Sequence, residues 1–198
     1  MASALRRRIR RIAWAGAKRC LPMPLLYEIW SRNTARHWRT DLATATDVRA
    51  FDAGPGVRIL AYWSDVPRVG KGPSASVYVR EEEVFRVDVF GNDQGHMHVN
   101  PDQIALQAGT TRFFFPAADL DDQIDRGLFE IARNTPAAAA HNMLRRVRRC
   151  PIDPTALARA AEEVGAHWLL LADRHMGDRA QPDRARTSTD AKARQAAG

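Results

Sequence analysis

Between residues 74 and 100 the chain alternates apolar and polar side chains in three short runs separated by turn residues, and this feature narrows its folding options most. The runs span 74–80, 84–90 and 96–100, and each changes character at nearly every position, the period of a strand with one face on a core. Connections this short join only antiparallel neighbours, so the segment reads as a β-meander. A β-branched and aromatic run at 57–64 precedes it, and 110–115 adds a further strand ended by Pro116.

Helical periodicity lies on both sides of the meander. Residues 25–39 carry Leu26, Ile29, Trp30 and Trp38. Asp119 caps a helix whose stripe is Leu120, Ile124, Leu128 and Ile131, and Thr135-Pro136 has the form of a cap and first-turn pair opening another. That helix ends in Arg145, Arg146, Arg148 and Arg149, where cations complement the C-terminal dipole. Asp153-Pro154 starts the last helix, with Leu157, Ala161, Val164, Trp168 and Leu171 on one side. Residues 40–56 and 65–73, rich in turn formers, read as connections. The expected fold class is α+β: an antiparallel meander of about four to five strands flanked by N-terminal and C-terminal helices. Gly70-Lys71-Gly72 is not a phosphate loop, because the upstream glycine is missing and a strand follows.

Charge divides the chain into three parts. Arg6, Arg7, Arg8, Arg10, Arg11, Lys18 and Arg19 face no acidic residue within the first 20 positions and account for the whole net charge of +7. Residues 1–22 thus form a basic arm, with Leu5, Ile9 and Ile12 on one helical stripe. Its five clustered arginines suit an anionic membrane surface or nucleic-acid phosphates, and its stripe suits packing on the domain. Residues 23–176 form a single α+β domain, whose 45% apolar and 27% charged composition excludes a wholly disordered chain. Residues 177–198 hold no large apolar side chain and read as a disordered polar tail. Two cysteines without metal-ligand spacing fit a reducing, cytoplasmic setting, with membrane association through the arm as an added expectation.

Parity concentrates the chemistry-bearing side chains. In the run 84–90, Phe85, Val87 and Val89 share one face, and Arg86 and Asp88 the other. Keeping Met97 and Val99 on the apolar face sets Asp88 opposite His98, Phe90 opposite His96 and Arg86 opposite Asn100. The same test on the preceding turn aligns Val79 with Phe85 and Val77 with Val87. One sheet face then presents Arg86, Asp88, His96 and His98 as candidate catalytic groups, with Ser76 and Tyr78 as candidate binding groups. Three readings follow: a solvated or helix-covered polar face, a ligand or acid–base site, and a metal site. No third protein ligand is signalled beside the two histidines, so no metal is assigned, and no fingerprint names a cofactor. His37, His141, His167 and His175 stand apart on helical stretches, and Phe113, Phe114 and Phe115 read as core and strand edge.

The Arg86-x-Asp88 pair followed by Gly95-His96-Met97-His98, with Gln123-Ile124-Asp125 leading to Arg133-Asn134, resembles an uncharacterised family of small bacterial proteins of unknown function. The same residues are more faintly similar to toxin components of TumE-type toxin–antitoxin pairs, a likeness that implies a nucleic-acid-directed activity. The leading expectation is a bacterial accessory or binding module whose hairpin face recognises a small ligand or a protein partner. One alternative is a phosphodiester-cleaving or toxin-like enzyme, with His96 and His98 as acid and base or as metal ligands and Arg86 steadying a phosphate. The other is a membrane-surface protein held by the arm.

Overall fold

Each turn of the meander returns the chain beside itself, and the outcome is one six-stranded antiparallel sheet with its strands in chain order. The computed structural model describes residues 20–34, 45–103, 112–116 and 119–177. Most of the basic arm, His37 and the polar tail beyond Gly177 lie outside the described residues. The strands are β1 (Ala45–Asp52), β2 (Val57–Val66), β3 (Gly70–Val79), β4 (Glu82–Asp88), β5 (His96–Val99) and β6 (Phe113–Phe114). Among the described residues four helices accompany them: α1 (Met23–Thr34) before the sheet, then α2 (Leu120–Ala140), α3 (Arg145–Arg148) and α4 (Pro154–Met176) after it. The architecture is thus α+β, an antiparallel sheet with helices at both ends of the chain. Among the described residues no helix is long and apolar enough to cross a membrane.

The sheet has two unlike faces. Ile59, Ala61, Ala75, Val77, Phe85 and Val87 form the face packed under α2 and α4, in one core that also holds Tyr27 of α1 and Trp168 of α4. Aspartate caps start both long helices: Asp119 accepts from the amides of Asp121 and Asp122, and Asp153 from that of Thr155. The other face carries Leu60, Tyr62 and Tyr78 as a small apolar cluster, with serines and charged groups beside it.

Four local expectations are corrected. Residues 45–52 are a strand, not a connection; as an edge strand β1 is mostly exposed and lacks alternation, and a register break beside Asp47 (φ 52°) hides the period further. Residues 70–73 belong to β3, not to a loop. Gly72 sits there because a Cβ would lie 2.0 Å from the Val89 carbonyl oxygen, and the Pro73 carbonyl accepts from the Val89 amide. Thr135-Pro136 opens no new helix, since α2 runs through it: Ile124, Ile131 and Ala138 are buried at seven-residue spacing on both sides, and the Thr135 hydroxyl donates to the Ile131 carbonyl. The arginine cluster therefore belongs to the separate short helix α3.

The β3–β4 hairpin departs from the expected register as well. Val77 pairs with Phe85 and Ala75 with Val87, because a bulge between Val77 and Tyr78 inserts an extra residue on β4 before Val79 meets Glu82. Glu82 is 5% exposed, and one of its carboxyl oxygens has no hydrogen-bond partner among the described residues. Burial, with the nearby Asp102 adding to it, pushes its carboxyl up to about 8. Its contribution to stability is full below the ordinary carboxylate range and is lost as pH rises through about 8. Urea unfolding of the wild type and Glu82→Gln should diverge between pH 5 and pH 8, the wild type losing on the order of a few kcal/mol that the variant keeps. Parallel pH profiles for the two proteins would contradict this assignment.

Candidate metal centre

Strand pairing lays the polar face out in two rows across the sheet. Tyr62, Ser74, Asp88, His96 and Phe114 are successive partners from β2 to β6, and Leu60, Ser76, Arg86 and His98 form the adjacent row from β2 to β5. Asp88, His96 and His98 share this face, but Asp88 lies opposite His96 and Arg86 opposite His98, two residues away from the expected register.

The cause of the shift is the connection between β4 and β5. Past Asp88 the chain follows β3, with the Val89 amide donating to Pro73, and then winds through a helical turn at Asn92–Gln94 that uses up the extra residues. Gln123 of α2 grips this turn from the core side: its Oε1 accepts from the Gly91 amide at 3.0 Å, and its Nε2 donates to the Asn92 carbonyl at 2.5 Å. Gly95 passes so close that a Cβ there would sit 2.0 Å from Gln123 Oε1.

Three side-chain atoms converge on this frame. His96 Nε2 is 3.4 Å and His98 Nε2 is 3.7 Å from Asp88 Oδ2, and the three donor atoms lie within 4.8 Å of one another. All three residues are buried. His96 Nδ1 lies 2.7 Å from the Gln94 carbonyl oxygen, which only accepts; the ring therefore carries a hydrogen on Nδ1 and turns Nε2 toward Asp88. The Ser74 hydroxyl donates to Asp88 Oδ1 at 2.7 Å, leaving Oδ2 for the histidines. Ser74 is fixed in turn by the Trp168 indole, which donates to its carbonyl at 3.0 Å.

Arg86 is not the partner of Asp88. Its Nε and Nη2 each donate to Glu83 at 2.8 Å, a two-pronged pair between residues three apart. A regular strand sends such residues to opposite faces, and the bulge at Val77/Tyr78 brings them to the same one. Burial opposes the Arg86 charge, but Glu83 together with the neighbouring Tyr62 and Asp88 outweighs it, and the guanidinium is held well above its usual range. Burial pushes His98 down to about 4 despite the attraction of Asp88, so its imidazole is neutral at physiological pH.

A cavity of about 180 Å³ opens over these groups, lined by Arg86, Asp88, His96 and His98, with Arg112 alongside. Tyr62, Val66, Val69 and Phe90 supply its less polar walls. Ser76 and Tyr78 are on the same sheet face but do not line it: Ser76 bonds the Tyr62 hydroxyl at 3.1 Å, and Tyr78 is buried in the small cluster with Leu60. The remaining described histidines serve elsewhere. His141 caps α2, whereas His175 stacks on Trp63 and, with Arg174, pairs with Asp47, fastening the end of α4 to β1. Cys20 is exposed and Cys150 is buried against Pro55, so neither joins the cluster.

Sequence reasoning missed Ser74, Glu83, Arg112 and Gln123. Extending the alternation one step from Ser76 finds Ser74 beside Asp88. Glu83 is concealed by the bulge, Arg112 follows a stretch without periodicity, and Gln123 occupies a polar position on a helix whose apolar stripe carries the signal.

The Gln123 grip predicts strong coupling with Gly95. Gly95→Ala should destabilise the chain by about 1–3 kcal/mol, and Gln123→Ala should relieve most of that cost by removing the obstructing amide. Urea unfolding of the two single variants and the double variant measures the coupling; an equal cost of Gly95→Ala in both backgrounds would rule out the contact.

Comparison with protein-family models, with curated proteins and with solved structures finds no match to this chain. The chemistry of the site is therefore read from its side chains.

Proposed function

We propose that this domain is a divalent-metal-dependent enzyme acting on a small molecule, with one ion held by Asp88, His96 and His98. The observation that carries this reading is the spacing of the three donor atoms. Charge-assisted N–H···O bonds run at about 2.7–2.9 Å, and the separations of 3.4 and 3.7 Å to Asp88 are too long for them. Ligands roughly 2.0–2.1 Å from a tetrahedral ion stand about 3.3–3.4 Å apart, close to the two separations to Asp88, and the whole set lies within 4.8 Å.

The surroundings support the same reading. Metal-bound histidines commonly donate their second N–H to a backbone carbonyl, as His96 does to Gln94, and ligating carboxylates are themselves hydrogen-bonded, as Asp88 is by Ser74. Two imidazoles and one carboxylate suit zinc or ferrous iron, whereas calcium and magnesium prefer oxygen ligands. Three protein ligands leave coordination positions open toward the cavity, the arrangement of catalytic rather than structural sites. An ion there supplies Lewis acidity and a bound water acidified to near neutral pH. The cavity, at about 180 Å³, is below the roughly 300–1,000 Å³ of pockets for drug-sized ligands, which favours a small molecule over a nucleic-acid strand.

Calorimetric titration of the metal-stripped chain with Zn²⁺ or Co²⁺ at pH 7 tests the proposal. The wild type should take up one equivalent, and Asp88→Asn should lose that binding while keeping its circular dichroism spectrum. Ser74→Ala should weaken it by about 10–100-fold, the usual effect of removing an outer partner. His141→Ala should leave it unchanged. Wild-type affinity in Asp88→Asn would sink the proposal.

A further inference from the structure

Two arginines border the cavity, and they differ in what holds them. Arg86 spends Nε and Nη2 on Glu83, while its Nη1 has no partner among the described residues. Arg112 stands exposed at the rim, close enough for its charge to act on His98, and it has no carboxylate partner among the described residues. The lining therefore offers guanidinium N–H groups beside the three donor atoms, and among the described residues its only carboxylate is Asp88. Val66, Val69 and Phe90 complete the enclosure with apolar surface.

We infer that the cavity binds a small oxyanion, a carboxylate or phosphate group on a compact apolar body, with Arg112 and the free edge of Arg86 gripping the anion beside the ion. This rests on the metal reading for the role of Asp88, His96 and His98. The physical argument is electrostatic complementarity in an enclosed space. A guanidinium presents paired N–H donors that match carboxylate and phosphate oxygens, and partial exclusion of water strengthens the attraction. Glu83 matters here because it holds Arg86 in place through Nε and Nη2 and leaves Nη1 to other partners. A cationic ligand would be repelled by Arg112 and Arg86, and a neutral one would gain nothing from their charge.

The test uses the full chain, stripped of metal or loaded with Co²⁺, with acetate, isobutyrate and inorganic phosphate as probes and acetamide and isobutyramide as neutral controls. Thermal unfolding is followed for the wild type and Arg112→Gln, a substitution at an exposed position that leaves the core untouched. The carboxylates or phosphate should raise the wild-type Tm and change the cobalt visible spectrum, and the neutral amides should do neither. Arg112→Gln should weaken anion binding at least tenfold while still taking up one equivalent of cobalt. Tighter binding of isobutyrate than acetate assigns the carboxylate source, and preference for phosphate assigns the other. Equal stabilisation by amides and anions, or anion affinity unchanged in Arg112→Gln, overturns the inference whether or not cobalt binds. Absence of cobalt uptake in a chain that still binds anions through Arg112 overturns the metal reading alone.

Discussion

The pairing of β4 with β5 sets Asp88 directly across from His96, and every statement about the site depends on that register. A slip of one residue would turn the imidazoles to the opposite face of the sheet. A slip of two would keep the faces but separate Asp88 from His96, so alternation alone does not select the observed pairing. The selection comes from outside the strands. Gln123 of α2 holds the turn at Gly91 and Asn92, and Gly95 lets the turn lie against that amide. A helix on the core face thereby sets the alignment of groups on the polar face.

A second line of support crosses the sheet at Ser74. The Trp168 indole, buried in the core, donates to the Ser74 carbonyl, and the Ser74 hydroxyl on the far side donates to Asp88. One residue thus couples the packing of α4 to the orientation of a carboxylate. The Arg86–Glu83 pair does comparable work: a bulge brings the two onto one face, and Glu83 fixes the guanidinium beside the cluster. Asp88 is left facing two imidazoles. Buried polar groups held on several sides in this way are rigid, which suits a metal centre.

Much of this arrangement was legible in the alternating runs. The meander, the order of its strands and the shared side of Arg86, Asp88, His96 and His98 follow from period-two patterning, because one face must meet the core. Register was not legible, since it rests on the bulge at Val77/Tyr78 and the helical turn before Gly95, and neither leaves a mark in hydrophobic pattern. The edge strand β1 escaped for a related reason: only Phe51 is buried along it, so no alternation advertises it. Glycine and proline also misled at positions 70–73, where close passage of the Val89 backbone requires a small residue inside the sheet. The third donor beside the histidines lay in the sequence, eight positions before His96, but only cross-strand pairing brings it near.

The proposed centre gathers three donor atoms around one point, and X-ray absorption of the zinc-loaded chain addresses them most directly. The zinc spectrum should report directly bound nitrogen and oxygen at about 2.0–2.1 Å, with more distant scattering from two imidazoles that falls to one in His98→Ala. A spectrum without imidazole scattering, or one unchanged by that substitution, would contradict the proposed centre.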